Sequence, residues 1–467
     1  MRQYGSNRPI PEERAAVTDR RYACFVSDTP VHASMARPTL LAILFALGGA
    51  FVYLAVIQLG YSADGAYMFS RVIESKAFYN PSWSRTWADV LLQAPLLLAV
   101  QLGVTRISSL SGWYHFGLVF PFLLSFALCW FARRPVGNDV LLLFPLISYI
   151  LVSLPGSSIL AGESHVLAVM IWPALFLILR PRWSKLDAIL LVVLLLLLCR
   201  LYEAYLPSAV VLVVLLARRF RLGVPEERKP LVLALGLAVL GLAMAAYGII
   251  NPALAFHRQA FLSGLRDTHR HPMLVVSIAA ILGLALALAV PRRRFLAVVP
   301  LLLGFGSIAL PYLGRIATAG VSFNIRSLSG TLLPLLLLSA VLVHFRPVQL
   351  PNRSWALAGV TLIALIAGYV SSWSAWRDFR KDFVTTLDAH TGYVPVDETL
   401  VGPSSQRWRW TTSLLSVLWS RQCVRSILVS SAPGWYPFDP RDSLPLQNRV
   451  RYHDYFLPVS PNADHCR

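Results

Sequence analysis

Three carboxylates stand just beyond apolar runs of this sequence. They are Asp64 in "GYSADGAYMFSRVIES" (Gly60 to Ser75), Glu163 in "GSSILAGESHVLA" (Gly156 to Ala168) and Glu203 in "CRLYEAYLP" (Cys199 to Pro207). A carboxylate held at a membrane surface can take the proton of a hydroxyl nucleophile. Cationic side chains accompany all three: Arg85, His165 and Arg200 nearby, then Arg258, Arg266, His269 and Arg270 in "NPALAFHRQAFLSGLRDTHRHP" (Asn251 to Pro272). Arg315 and Arg326 follow in "GRIATAGVSFNIRS" (Gly314 to Ser327). Such groups hold phosphate and stabilise the charge that develops on it as a leaving group. Acids and cations together are equipped for group transfer from a phosphate-linked donor. Each also has a plainer use: Arg200 and Glu203, at i and i+3, can simply neutralise each other, and Asp64 can end a helix.

The elements that carry these residues are membrane helices. The chain has 467 residues, 56% of them hydrophobic and 14% charged, with a mean hydropathy of +0.59. Few charges and recurrent long apolar runs describe an all-α polytopic membrane protein. Apolar segments fall near 39–60, 113–132, 138–154, 165–180, 186–199, 204–217, 231–250, 273–290, 295–313, 328–345 and 355–373, about eleven spans. The net charge of +19 does not point to nucleic acid, because the basic residues sit in short clusters between those runs. Arg133-Arg134, Arg180/Arg182/Lys185, Arg218-Arg219/Arg221, Arg292-Arg293-Arg294, Arg346/Arg353 and the tail with Arg14, Arg20, Arg21 and Arg37 all fall on one side. The positive-inside rule makes that side cytoplasmic, so the N-terminus is inside and the C-terminus outside. The segment "LLQAPLLLAVQLGV" (Leu91 to Val104) must then be re-entrant or interfacial, since a crossing there would invert every later cluster. The three carboxylates come to lie on the outer face.

These residues resemble the GT-C superfamily of integral-membrane glycosyltransferases. The points of likeness are an acidic residue shortly after the first membrane helix (Asp64 in "ADGAYMFSRVIE"), a large first external loop at 61–112 with a candidate horizontal helix, and the "GESH" of Glu163 and His165 where some members carry a second acidic pair. The resemblance covers about 40–375 and is architectural more than motif-level. It implies transfer of a sugar from a polyprenyl-phosphate carrier to a glycan, lipid or protein acceptor on the extracytoplasmic face of the cell inner membrane. In that reading Asp64, Glu163 and Glu203 are catalytic, and Arg85, His165, Arg200, Arg258, Arg266, His269, Arg270, Arg315 and Arg326 bind substrate. Many members have two adjacent acidic residues in the first loop, whereas Asp64 is followed by Gly65; a divalent cation is therefore compatible with the resemblance but not required by it. Rival readings are an O-antigen-type ligase or polymerase, and a transporter or flippase of lipid-linked glycans.

Three regions result: a cytoplasmic tail (1–38), the transmembrane domain (39–373) and an extracytoplasmic region (374–467) of α/β character. In the last, "QRWRWTTSLLSVLW" (Gln406 to Trp419) reads as a helix and "VRSILVSS" (Val424 to Ser431) as a strand. Of the five cysteines only Cys423 and Cys466 face the oxidising side, where a disulfide persists. No phosphate-binding glycine loop of the GxxxxGK type occurs, which argues against ATP hydrolysis.

Overall fold

The computed structural model describes residues 36–62, 65–79, 85–133, 139–154, 162–222, 225–251, 322–346, 350–399, 412–420 and 426–429. To these it adds the short pieces 451–452 and 455–456 and the single positions 258, 262 and 401. Among them the chain is mostly helical. The first helix, α1 (Ala36–Val56), is apolar on every side. It buries Leu40, Ile43, Leu47 and Leu54 at helical spacing while Phe45 stands 86% exposed, the behaviour of a segment whose outer face meets lipid. After a 3₁₀ turn at Leu59–Tyr61 come α2 (Gly65–Ser75), α3 (Thr86–Gln101) and α4 (Ile107–Ala132). A short helix α5 (Leu143–Ser148) continues into a π-helical turn, Tyr149–Ser153.

The bundle then runs through α6 (Glu163–Leu179), α7 (Lys185–Cys199), α8 (Tyr205–Leu222), α9 (Arg228–Ile250), α10 (Ser322–Phe345) and α11 (Asn352–Ser372). Among the described residues four helical runs are long and apolar enough to cross a membrane: Ala36–Val56, Ile107–Ala132, Arg228–Ile250 and Asn352–Ala389. The spans expected at 273–290 and 295–313 lie outside the described residues. Helix α4 starts at Ile107 rather than near 113, because "SSLSGW" lowers the hydropathy without breaking the helix. The expected external loop 61–112 therefore contains α2, α3 and the first turns of α4.

Helix α6 is the axis of the bundle, with all seventeen residues buried. Apolar burial gains little between helices in lipid, so close packing and polar pins must hold them. The Ser125 hydroxyl donates to the Val169 carbonyl at 2.6 Å, Ser148 to Ala168 at 2.7 Å and Ser153 to His165 at 3.1 Å. Helix α3 turns back along α4 after Leu102–Arg106, with Gly103 at φ +80°. The two backbones approach so closely that a Cβ on Gly117 would stand 2.1 Å from the Leu92 carbonyl oxygen. The segment thus packs lengthwise along α4.

One end of the bundle is basic. Arg180 donates to Asp187 and to the Ala132 and Phe131 carbonyls, the last two at 3.1 Å. Arg133 pairs with Asp139 at 2.9 Å and Arg219 with Glu227 at 2.7 Å. Arg219 also donates to the carbonyls of Ile178 (2.9 Å) and Arg180. Three of the basic clusters thus meet at one level, as the sequence required.

Beyond α11, helix α12 (Ser374–Ala389) leads to a strand β1 (Gly392–Pro395), a helix α13 (Thr412–Trp419) and β2 (Ser426–Val429). The two strands pair in parallel, Gly392 opposite Ser426 through Pro395 opposite Val429, so α13 lies in the crossover between them. Two-residue strands β3 (Arg451–Tyr452) and β4 (Tyr455–Phe456) pair antiparallel. Within the described residues the expected helix and strand are both present, as α13 and β2; residues 406–411, 424–425 and 430–431 of those two stretches lie outside the described residues.

Candidate active site

At the end opposite the basic layer, Arg85 stands at the N-cap of α3 and joins three separate stretches of chain. Its Nη1 donates to Glu163 Oε1 at 3.0 Å. Its Nε and Nη2 donate to Glu203 Oε1 at 3.2 and 3.1 Å, and Nη2 reaches Oε2 at 3.3 Å. The guanidinium lies 5.3 Å from the centre of the Tyr202 ring. Glu163 is the first residue of α6, while Glu203 occupies the turn between α7 and α8. That turn is admitted by Gly248 of α9, where a Cβ would come within 3.1 Å of Glu203 Cγ. The sequence's i, i+3 pairing gives way to this arrangement: Glu203 turns to Arg85, while Arg200 donates to Thr86 Oγ1 at 2.9 Å. The Arg200 carbonyl also accepts from Trp87 N at 3.3 Å.

Arg85, Glu163 and Glu203 are 7%, 8% and 5% exposed. One cation faces two carboxylates, so the cluster has an excess of one negative charge when both glutamates are ionised. Burial opposes the charge on Arg85, but Glu163 and Glu203 outweigh it and hold the guanidinium above its ordinary pKa. A guanidinium presents its donors in one plane as a fork, a geometry that a lysine ammonium lacks.

A fourth member was not singled out from the sequence. Asp89 lies in the first turn of α3, fully buried, and neither carboxyl oxygen has a hydrogen-bond partner among the described residues. Burial first, then the Glu163 carboxylate, push its pKa up to about 8 against the pull of Arg85. Burial without a partner therefore favours the protonated carboxyl. The signal was present as Arg85 and Asp89 at i and i+4, which puts both on one helix face. His165, in the first turn of α6, is buried beside the Gly162 and Leu118 backbones.

The depth of the cluster follows from helix lengths. Helices α4 and α6 finish together, where Arg180 donates to Ala132. They have 26 and 17 residues, so at 1.5 Å per residue α6 begins about 13 Å short of the start of α4 and about 26 Å from the basic end.

The other sequence candidates are less informative. Asp64, Arg266, His269, Arg270 and Arg315 lie outside the described residues, as do Cys423 and Cys466. Arg258 is exposed, and Arg326 belongs to α10. Among the described residues no three His, Cys, Asp or Glu side chains are grouped as metal ligands. Comparison with protein-family profiles, with curated proteins and with solved structures gives no match to this chain.

Proposed function

We propose that this chain is a multi-pass membrane glycosyltransferase that moves a sugar from a polyprenyl-phosphate carrier to an acceptor on the extracytoplasmic face. The observation that supports the reading is the meeting of Arg85, Glu163 and Glu203 at the end of the bundle opposite the basic layer. With the basic end cytoplasmic, a distance of about 26 Å brings these carboxylates close to the far edge of a hydrocarbon core about 30 Å thick. That is where the phosphate of a lipid-linked donor is presented.

In this reading Asp64 takes the proton of the acceptor hydroxyl as the oxygen attacks the anomeric carbon. The bond from that carbon to the carrier's phosphate oxygen breaks, and the carrier leaves as its phosphate. Arg85 does not serve as the phosphate clamp, because its donors are engaged by two carboxylates. It positions the first external loop against Glu163 and the 200–204 turn.

The test is transfer by purified protein in lipid nanodiscs, offered a panel of radiolabelled polyprenyl-phosphate sugars and a membrane extract as acceptor. Label should move from one carrier class into an acceptor. Absence of transfer from every monosaccharide carrier, with transfer of a diphosphate-linked oligosaccharide instead, would move the reading to a ligase. Movement of labelled lipid across a sealed bilayer with no bond broken would move it to a flippase.

A further inference from the structure

A second polar site lies at the end of α1, away from the carboxylate cluster. A pocket of about 470 Å³ opens where Tyr61, the first turn of α4 and one face of α12 meet. Its cationic wall is Arg377, Arg380 and Lys381, with Ser108 and Ser111 of α4 opposite, and none of its lining residues is acidic. The cations fall at i, i+3 and i+4, so α12 turns them to one side, whereas Asp378 and Asp382 project from its flank.

The wall is fixed in place. Trp376 Nε1 donates to the Ile57 carbonyl at 3.1 Å, and Arg380 Nη1 to the Val56 carbonyl at 2.9 Å. Trp376, Phe379 and Phe383 pack on Trp419 of α13. Arg377 pairs with the exposed Asp378 at 2.9 Å, and Lys381 has no ion-pair partner among the described residues. At the opposite wall Ile107 and Ser108 open α4, where backbone N–H groups have no carbonyl within the helix and the dipole favours an anion. Three cations, the Ser108 and Ser111 hydroxyls and a helix start around one cavity form a receptor for a compact anion with several oxygens.

Its depth identifies which anion. Ser111 stands 21 residues along α4 from Ala132, about 32 Å above the basic end at the helical rise, just past a hydrocarbon core of about 30 Å. A lipid held there has its phosphate in the pocket and its chain in the bilayer. We infer that this pocket binds the phosphate of a membrane lipid, with Arg377, Arg380 and Lys381 as its clamp. The proposal deepens the transferase reading by supplying the cations that Arg85 cannot provide, and it rests on that reading for the carrier as the natural ligand. The end of α1, the start of α4 and the helices α12 and α13, rather than the later loops, then furnish the phosphate site.

The experiment measures binding of a fluorescent polyprenyl phosphate to the full-length protein in nanodiscs made of zwitterionic lipid. The variants are Lys381→Ala, Arg377→Ala and the reversal Lys381→Glu, each at an exposed position, with thermal midpoint as the folding control. Each alanine variant should weaken binding about tenfold, the loss of one charge-assisted contact, and Lys381→Glu by more. The uncharged polyprenol should bind weakly and equally to all forms. Displacement by phosphatidylglycerol as well as by unlabelled carrier would support a site for lipid phosphate in general; displacement by the carrier alone would support a carrier site. Inorganic phosphate competing as well as either lipid, equal binding of polyprenol, or unchanged affinity in all three variants would overturn the proposal. Failure of sugar transfer with this binding pattern intact would count against the transferase reading alone.

Discussion

Replacing Arg85 with glutamine would leave Glu163 and Glu203 buried without the cation that they share. The present cluster has one positive and two negative charges, joined by one contact to Glu163 and three to Glu203. Removing one partner of a buried ion pair costs about 3–5 kcal/mol, because the remaining charge is stranded. Glu163→Gln removes the excess negative charge and keeps the Arg85–Glu203 contacts, so it should cost about 1 kcal/mol or less. Glu203→Gln falls between them, since it leaves Arg85 with the single Glu163 contact. The expected order of destabilisation is Arg85→Gln, then Glu203→Gln, then Glu163→Gln. Thermal denaturation in detergent micelles at pH 7, followed by tryptophan fluorescence and by recovery on size exclusion, reads that order. Arg85→Lys should fall between wild type and Arg85→Gln, because an ammonium keeps the charge but cannot fork to Glu203 as the guanidinium does. Equal midpoints for Arg85→Gln and Glu163→Gln would refute the charge imbalance on which the argument rests.

Asp89, with its pKa raised from about 4 when unfolded to about 8 when folded, contributes most stability below pH 4 and loses it as pH rises to about 8. Asp89→Asn should therefore match wild type in thermal midpoint at pH 4.5 and exceed it at pH 8; equal midpoints at both pH values would show that Asp89 is ionised or solvated in the fold. Gly117→Ala sets a Cβ against the Leu92 carbonyl, so the α3–α4 hairpin must separate, at a cost of about 1–3 kcal/mol; an unchanged midpoint contradicts the close approach. Reporter fusions at Arg133 and Arg219 should report one side of the membrane and fusions after Ser374 the other; opposite results at Arg133 and Arg219 would break the basic layer.

Hydropathy and charge placement made much of this architecture legible. The positions of α1, α6, α7, α8, α9 and α11 follow directly from apolar runs, and the turn at 200–204 from the polar "RLYE" between α7 and α8. Basic clusters found in separate loops meet as Arg133, Arg180 and Arg219 because each closes a helix at the same level. The start of α4 was harder to read, since three serines and a glycine imitate a loop while packing against α3 keeps them helical. Glu163, Glu203 and Arg85 were each visible as ionisable groups near apolar segments, but their partnership spans 118 residues, and no local spacing encodes it. Asp89 was hidden for a related reason. In sequence it is one acidic residue in the first turn of a helix, an ordinary place for a carboxylate; only burial without a partner distinguishes it. The cations of α12 likewise look like a solvated helix face until Trp376 and Arg380 dock that helix against the end of α1.

In the proposed reaction a carboxylate on the outer face takes the acceptor's proton, and Asp64→Asn removes that carboxylate. The substitution keeps shape and hydrogen bonding while removing the capacity to accept a proton. Single-turnover transfer in nanodiscs, with carrier binding measured on the same preparation, should show unchanged binding and a rate lower by roughly 10²–10⁴-fold. Near-normal transfer by Asp64→Asn would contradict the account and pass the role of base to Glu163.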